Sequence, residues 1–292
     1  MPDDAAARDA AEEESALAHP AVPPDATAAY GDHPDQVVDF YAPRGETPLG
    51  GPAPLVVVLH GGAWRAPYDR AHISPFAHHL TRGGLAVASV EYRRGPALPV
   101  QGGGLLAGSW PETFDDVAAA FDALPTLAPK ALPGIDTRRT VAVGHSAGGQ
   151  LALWAAARHV LPEGSPWCTA EPAELRGVVA LAPIADLTVA RDLGVCGGAV
   201  DQLLGGAERF EERRAQVDPA ALVPTGIATT LVQGREDGTV PVAVAEAYAG
   251  AAAAAGEPVG VTLLDGVGHF AGVDPAADAC AVVVAEVGQL VW

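Results

Sequence analysis

Lysine is nearly missing from this 292-residue chain. Lys130 is the only one, and 17 Lys plus Arg face 36 Asp plus Glu, a formal net charge of −19. So acidic a surface repels phosphate backbones, which excludes nucleic acid and anionic membranes as partners. Cysteine is scarce as well, limited to Cys168, Cys196 and Cys280. Three cysteines form no disulfide framework and show no zinc-ligand spacing. Free thiols in a reducing compartment are expected, with the pairing of Cys168 and Cys196 left open. The N-terminal stretch MPDDAAARDAAEEESALAHP carries acids where a signal peptide needs a basic stretch and an apolar core. No apolar run approaches the roughly 20 residues of a membrane span. The expectation is a soluble, cytoplasmic protein. Residues 1–29, rich in Ala, Asp, Glu and Pro, read as a mobile tail with room for one short helix.

What the chain has in plenty is turn residues, 34 Gly and 26 Pro, set between apolar runs. PLVVVLHGGAW (54–64) is a continuous apolar run ending in glycines, as a strand buried on both faces would be. Further strands are expected at 35–43, 85–94, near 140–145, at 175–186, 228–237 and 259–270. Helical patterns lie between them at 72–84, 111–124, 150–160 and 241–256, and a last amphipathic helix spans 275–292. Strand and helix alternate, so the fold class is α/β. Residues 30–292 form one domain around a mostly parallel central sheet covered by helices on both faces. Residues 187–226 are irregular. In open α/β sheets, ligands gather at the C-terminal ends of strands. That directs attention to His60-Gly61-Gly62, Ser146, Asp186, Asp237 and His269.

Gly144-His145-Ser146-Ala147-Gly148 fits G-x-S-x-G between a strand and a helix. Such a turn strains the serine backbone and lifts its hydroxyl, while the flanking glycines let strand and helix pack closely. With six serines and 34 glycines, about 0.08 accidental matches are expected. A serine hydroxyl needs a base to become a nucleophile. His269, in DGVGHF after the last strand, is the candidate. His19 and His33 lie in the tail region, His72, His78 and His79 on or beside a helix, and His159 at a helix end. His145, next to the serine, points its side chain elsewhere. Asp237, after the preceding strand, would orient the imidazole; Asp265 and Glu236 are its rivals. The glycine loop His60-Gly61-Gly62-Ala63-Trp64 and the Ala147 amide would supply oxyanion donors.

The order Ser146…Asp237…His269, with H-G-G-A-W upstream and G-H-S-A-G-G at the turn, resembles the α/β-hydrolase superfamily over residues 35–292. The resemblance is to its esterase-like branch, with hormone-sensitive-lipase-type carboxylesterases and kynurenine formamidases. It implies Ser146 as nucleophile, His269 as base and acid, and Asp237 as orienter. It places oxyanion amides at Gly62, Ala63 and Ala147 with Gly61 adjacent, and gives His60 a loop-supporting role. Residues 187–226 then stand where that superfamily inserts a cap, here a short one of about 40 residues that leaves an open acyl pocket. Two departures blur the subfamily. Ala63 stands where lipase-type enzymes carry a third glycine, and Gln233-Gly234-Arg235-Glu236-Asp237 replaces the usual H-G-x-x-D.

Trp64, Trp110 and His145, with the Gly/Pro-rich loop 95–110, are assigned to the substrate pocket. Glu91 and its neighbours Arg93 and Arg94 are expected to brace a sheet end as an ion pair. The reading is a serine hydrolase that cleaves a small or medium acyl or aryl ester through an acyl-enzyme. It needs no metal or cofactor, and a homodimer is compatible with it. An arylformamidase acting on N-formylkynurenine-type amides is the alternative within the same chemistry. A catalytically silent binding module of the same fold is the alternative outside it.

Overall fold

The computed structural model describes residues 2–48, 50–99 and 103–292, with side chains from Ala6 onward. Eight strands form one sheet: β1 (Ala26–Ala29), β2 (Val37–Tyr41), β3 (Ala53–Leu59), β4 (Ala86–Val90), β5 (Ile135–His145), β6 (Gly177–Leu181), β7 (Thr229–Gly234) and β8 (Gly260–Leu264). Their spatial order is β1-β2-β4-β3-β5-β6-β7-β8. β1 pairs antiparallel with β2, and β2 with β4; every later pairing is parallel.

Side-chain alternation along the central strands splits the core in two. Leu55, Val57 and Leu59 of β3 face one apolar cluster, and Val56 and Val58 face the other. The first cluster is covered by α3 (Glu112–Ala131), α4 (Ala147–Ala156) and α8 (Val242–Ala254). The second is covered by α2 (Ser74–Thr81) and α9 (Asp278–Val291). Both faces are buried, so the strand sequences are apolar throughout. The arrangement is the helix-covered, mostly parallel α/β sheet that the sequence leads one to expect. Residues 187–226 fold into short helices, α5 (Leu187–Asp192), α6 (Ala199–Leu203) and α7 (Phe210–Val217), joined by single turns.

Three stretches depart from the sequence reading. α3 runs past residue 124 to Ala131 despite Pro125 and Pro129 inside it. Both prolines are exposed, while Leu124 and Ala128 continue the buried stripe against the sheet. Packing there outweighs the lost intrahelical bonds. β1 has no apolar run to announce it, being the edge strand ATAA with alternating exposure. The largest difference is at the N-terminus. The sequence suggests a mobile tail, yet α1 (Pro2–Ala18) is a 17-residue helix seated on the body of the protein. Ala16 is buried, and Ser15 Oγ donates to Asp274 Oδ2 at 2.6 Å. Among the described residues no helix is long and apolar enough to cross a membrane.

Candidate active site

β5 ends at His145 and α4 begins at Ala147, so Ser146 alone makes the turn between them. Its backbone has φ 54° and ψ −117°, a region an L residue occupies only under constraint. The constraint is visible on both sides. The Ser146 N–H donates to Leu181 O at 2.8 Å, and Ser146 O accepts from Gly149 N at 3.0 Å and Ile184 N at 3.2 Å. The glycines are required sterically. A Cβ on Gly144 would lie 2.1 Å from Gly148 O, and one on Gly148 would lie 2.2 Å from Leu59 O. Strand, helix and neighbouring strand therefore meet at a distance only glycine permits. α4 begins at Ala147, directly after the serine, so the free amides of its first turn lie at that end of the helix.

His269 lies five residues beyond β8. Its Nδ1 is 2.8 Å from Asp237 Oδ2. The carboxylate of Asp237 is fully engaged. Oδ2 also accepts from Gln233 Nε2 at 3.0 Å, and Oδ1 accepts from Thr239 N at 2.9 Å and Val240 N at 2.7 Å. A carboxylate so held cannot turn, and it fixes the imidazole with Nδ1 as the donor. The His269 carbonyl accepts from His145 Nε2 at 3.0 Å. The rivals of Asp237 face elsewhere, since Asp265 pairs with Arg235 on the surface. No hydrogen bond or ion pair joins Glu236 to His269 among the described residues, and its buried Oε2 has no partner there. Asp186 caps α5 through its bond from Val189 N.

The loop after β3 passes over the serine. A Cβ on Gly61 would come 3.3 Å from Ser146 Cβ. Gly62, Ala63 and Trp64 all have positive φ, at 107°, 50° and 55°. Two of these are not glycine, and each costs on the order of 1 kcal/mol. Trp64 O offsets this by accepting from Gly95 N at 2.9 Å and Gly108 N at 2.7 Å. His60 braces the loop from below: Nδ1 bonds Gly61 O at 2.8 Å, Nε2 meets Glu91 Oε1 at 2.9 Å, and the ring stacks on Tyr92 at 4.3 Å. Glu91 also pairs with Arg94 at 2.7 Å, the sheet-end ion pair expected from the sequence.

Ser146 and His269 open on one cavity of about 240 Å³, which Gly62, Ala63, Arg65, Tyr68 and Phe270 help to line. A larger apolar cavity, about 320 Å³ between α3, α4 and residues 169–175, holds neither Ser146 nor His269. Two histidines and a thiol beside the nucleophile are held uncharged. Burial first, and then His269, hold His145 well below the usual imidazole range. Burial and His60 bring His72 down to about 4. Burial pushes the Cys196 thiol up, so the thiolate that would rival Ser146 is not formed at neutral pH. All three cysteines are free.

Of the assigned pocket residues, only His145 lines the cavity. Trp64 is wholly buried in the core. Trp110 packs edge-on against Phe114 and Trp167, both centroids at 5.5 Å, with the Arg213 guanidinium over its ring. That aromatic cluster, with Trp154, satisfies Trp110 better than a half-wet wall. Of the loop 95–110, residues 100–102 lie outside the described residues, and 103–110 contribute nothing to the lining. Arg65, Tyr68, Cys196, Thr239 and Glu13 line the cavity without a sequence signal. They come from loops and from α1, and only the folded chain brings them together.

Comparison with known proteins places this geometry. Residues 38–250 match the BD-FAE family model. A probable isoprenylcysteine alpha-carbonyl methylesterase of Oryza sativa subsp. japonica is 24% identical over 249 residues, covering 82% of this chain and 56% of that protein. The non-reducing polyketide synthase adrD of Penicillium roqueforti is 32% identical over 132 residues, 44% of this chain and 5% of that protein. The chain thus spans about half the length of the first relative and a small part of the second. Among solved structures, esterase B from Lactobacillus rhamnosis superimposes with TM-score 0.73 at 19% identity, covering 99% of this chain and 92% of that one. A truncated carbohydrate esterase from gut microbiota gives TM-score 0.72 at 17% identity, over 93% and 99%. With its family match, its sheet and its serine turn, the chain belongs to the BD-FAE family of esterase-like α/β-hydrolases.

Proposed function

We propose that the protein is a serine hydrolase that cleaves a small or medium acyl or aryl ester through an acyl-enzyme. Ser146 Oγ attacks the ester carbonyl while His269 Nε2 takes its proton. The carbonyl oxygen becomes an oxyanion, held by the amides of Gly62, Ala63 and Ala147 at the start of α4. The C–O bond to the alcohol breaks, and the alcohol leaves with the proton from His269. Water then repeats the sequence on the acyl-enzyme, with His269 again as base. Asp237 keeps the imidazole in the right tautomer throughout and stabilises the imidazolium.

The observation that carries this reading is the bond of His269 Nδ1 to Asp237 at 2.8 Å, on an imidazole that shares a cavity with the strained Ser146. A fluorophosphonate probe tests it. Covalent labelling of the native protein at Ser146 is expected, and none in Ser146→Ala. A native protein that behaves like its unfolded control would favour the silent binding module. A panel of aryl esters beside an aryl formamide separates ester from amide preference by the ratio of kcat/KM.

A further inference from the structure

We propose that α1 clamps the two loops bearing His269 and Asp237, and that Asp9 and Glu12 are positioning residues for the hydrolysis assigned to Ser146. This rests on the function proposed above. The helix lies outside the span matched by the family, residues 38–250.

The two carboxylates meet the loops in a defined way. Asp9 Oδ1 accepts the His269 N–H at 3.0 Å. Its other oxygen accepts from Gly238 N at 2.9 Å and from Thr239 Oγ1 at 3.1 Å. One side chain thus ties the residue after Asp237 to His269 itself. Glu12 Oε1 accepts from Gly268 N at 2.8 Å, and Oε2 from Phe270 N at 3.0 Å and Ala271 N at 3.2 Å. Four successive amides, 268 to 271, are bound by side chains of one helix.

Holding a helix in place does not require this. Asp9 is buried, 7% exposed, and no Lys or Arg pairs with it among the described residues. Burying a carboxylate without a cation is costly, and an apolar contact would attach α1 at less expense. The bonds to two loops at once are what the carboxylate adds. Gly268 fits the same purpose: a Cβ there would lie 2.2 Å from Asp9 Oδ1 and 3.0 Å from Glu12 Oε2. The loop is built without a side chain where the carboxylates enter.

The consequence concerns His269. Its ring Nδ1 is held by Asp237, its carbonyl by His145 and its N–H by Asp9. Nε2 is the atom left for the serine proton. Removing the Asp9 hold frees the loop to drift relative to Asp237, and displacements of about 1 Å cost up to about 100-fold in rate.

The test uses the full chain with Asp9→Ala, Glu12→Ala and Glu12→Gln, all compatible with a helix. Ser15→Ala and His19→Ala are the controls. They remove bonds of the same N-terminal segment to Asp274, five residues past His269, and touch none of the amides 268 to 271. Three readouts are taken below each variant's melting temperature: kcat and KM on p-nitrophenyl acetate, the fluorophosphonate labelling rate, and the low-field proton resonance of the His269–Asp237 bond. For Asp9→Ala we expect kcat down about 10- to 100-fold with KM within about twofold, labelling slowed in parallel, and the low-field resonance weakened. The Glu12 variants should move the same way by less, and the controls should match wild type. Asp9 and Glu12 variants with wild-type values in all three readouts would overturn the clamp, as would controls that lose kcat as Asp9→Ala does. An unlabelled wild type whose low-field resonance still depends on Asp9 would sink the hydrolase reading and leave the clamp standing.

Discussion

Asp237 Oδ2 receives His269 Nδ1 at 2.8 Å and Gln233 Nε2 at 3.0 Å on the same oxygen. Gln233 thus buttresses the carboxylate from inside the sheet, where it is fully buried. Asp237→Asn would keep the volume and change the proton pattern. An amide nitrogen facing Nδ1 favours the wrong imidazole tautomer, with the proton on Nε2. The expected outcome is a fall in kcat of about 100- to 10,000-fold with a nearly unchanged melting temperature. Steady-state kinetics on p-nitrophenyl acetate check it, and a loss below fivefold would remove Asp237 from the orienting role.

The elbow makes a prediction that separates strain from chemistry. Both Ser146→Ala and Ser146→Gly should abolish turnover. They should differ in stability, because φ 54° is tolerated by glycine and strains alanine. After subtraction of glycine's greater unfolded-state entropy, Ser146→Gly should be the more stable by about 1 kcal/mol. Calorimetry on the two variants decides the sign. An alanine variant as stable as the glycine one would mean that the turn stores no strain.

Glycines elsewhere sharpen the same contrast. Gly148→Ala would put a methyl 2.2 Å from Leu59 O and 2.4 Å from His60 O, backbone atoms that have nowhere to go. A loss of about 3 kcal/mol or more is expected. Gly250, in the middle of α8, has no atom within 4 Å of its would-be Cβ. Gly250→Ala should therefore stabilise by about 1 kcal/mol. Denaturant titrations of the pair test both signs at once.

The strands and the serine turn could be read from the chain because their signals are local. β3 is apolar at every position, and Gly144, Ser146 and Gly148 stand within five residues. His269 and Asp237 could be read because strand ends are few. The role of α1 was not legible for a physical reason. Its docking runs through carboxylates to backbone N–H groups, so it needs no apolar stripe, and Ala, Asp and Glu look alike in a docked helix and a solvated tail. The tryptophans misled for the opposite reason. Trp64 stands two residues past the loop glycines, at a positive φ, yet its side chain is buried in the core.

On the acyl-enzyme route proposed above, the cavity bounds the acyl group. At about 240 Å³ it falls below the range of about 300–1,000 Å³ typical of drug-sized ligands, and Glu13 and Arg65 line it. Acetyl and butyryl esters should be the better substrates, with kcat/KM falling at least about tenfold by the octanoyl ester. A p-nitrophenyl ester series measures it. A rate that rises with chain length would show that the acyl chain leaves the cavity by another route.

Acid stability should trace to Glu91. Burial pushes its carboxyl up, but His60, Arg94 and the Arg70 N–H together outweigh this and bring it from an ordinary 4.5 down to about 2. The folded state therefore binds the proton less readily than the unfolded chain. Its contribution is complete above about pH 4.5 and is lost as pH falls toward 2, with an upper bound of about 3 kcal/mol. Asp218 works in the opposite sense: burial raises it to about 6, so the folded state gains stability as pH falls from about 6 toward 3.8. The difference between wild type and Glu91→Gln cancels that term. Glu91→Gln should be less stable at pH 7, since His60 and Arg94 lose a buried anion, and the gap should close between pH 4.5 and 2. Urea unfolding across that window measures it, and a gap independent of pH would show that Glu91 acts by shape rather than charge.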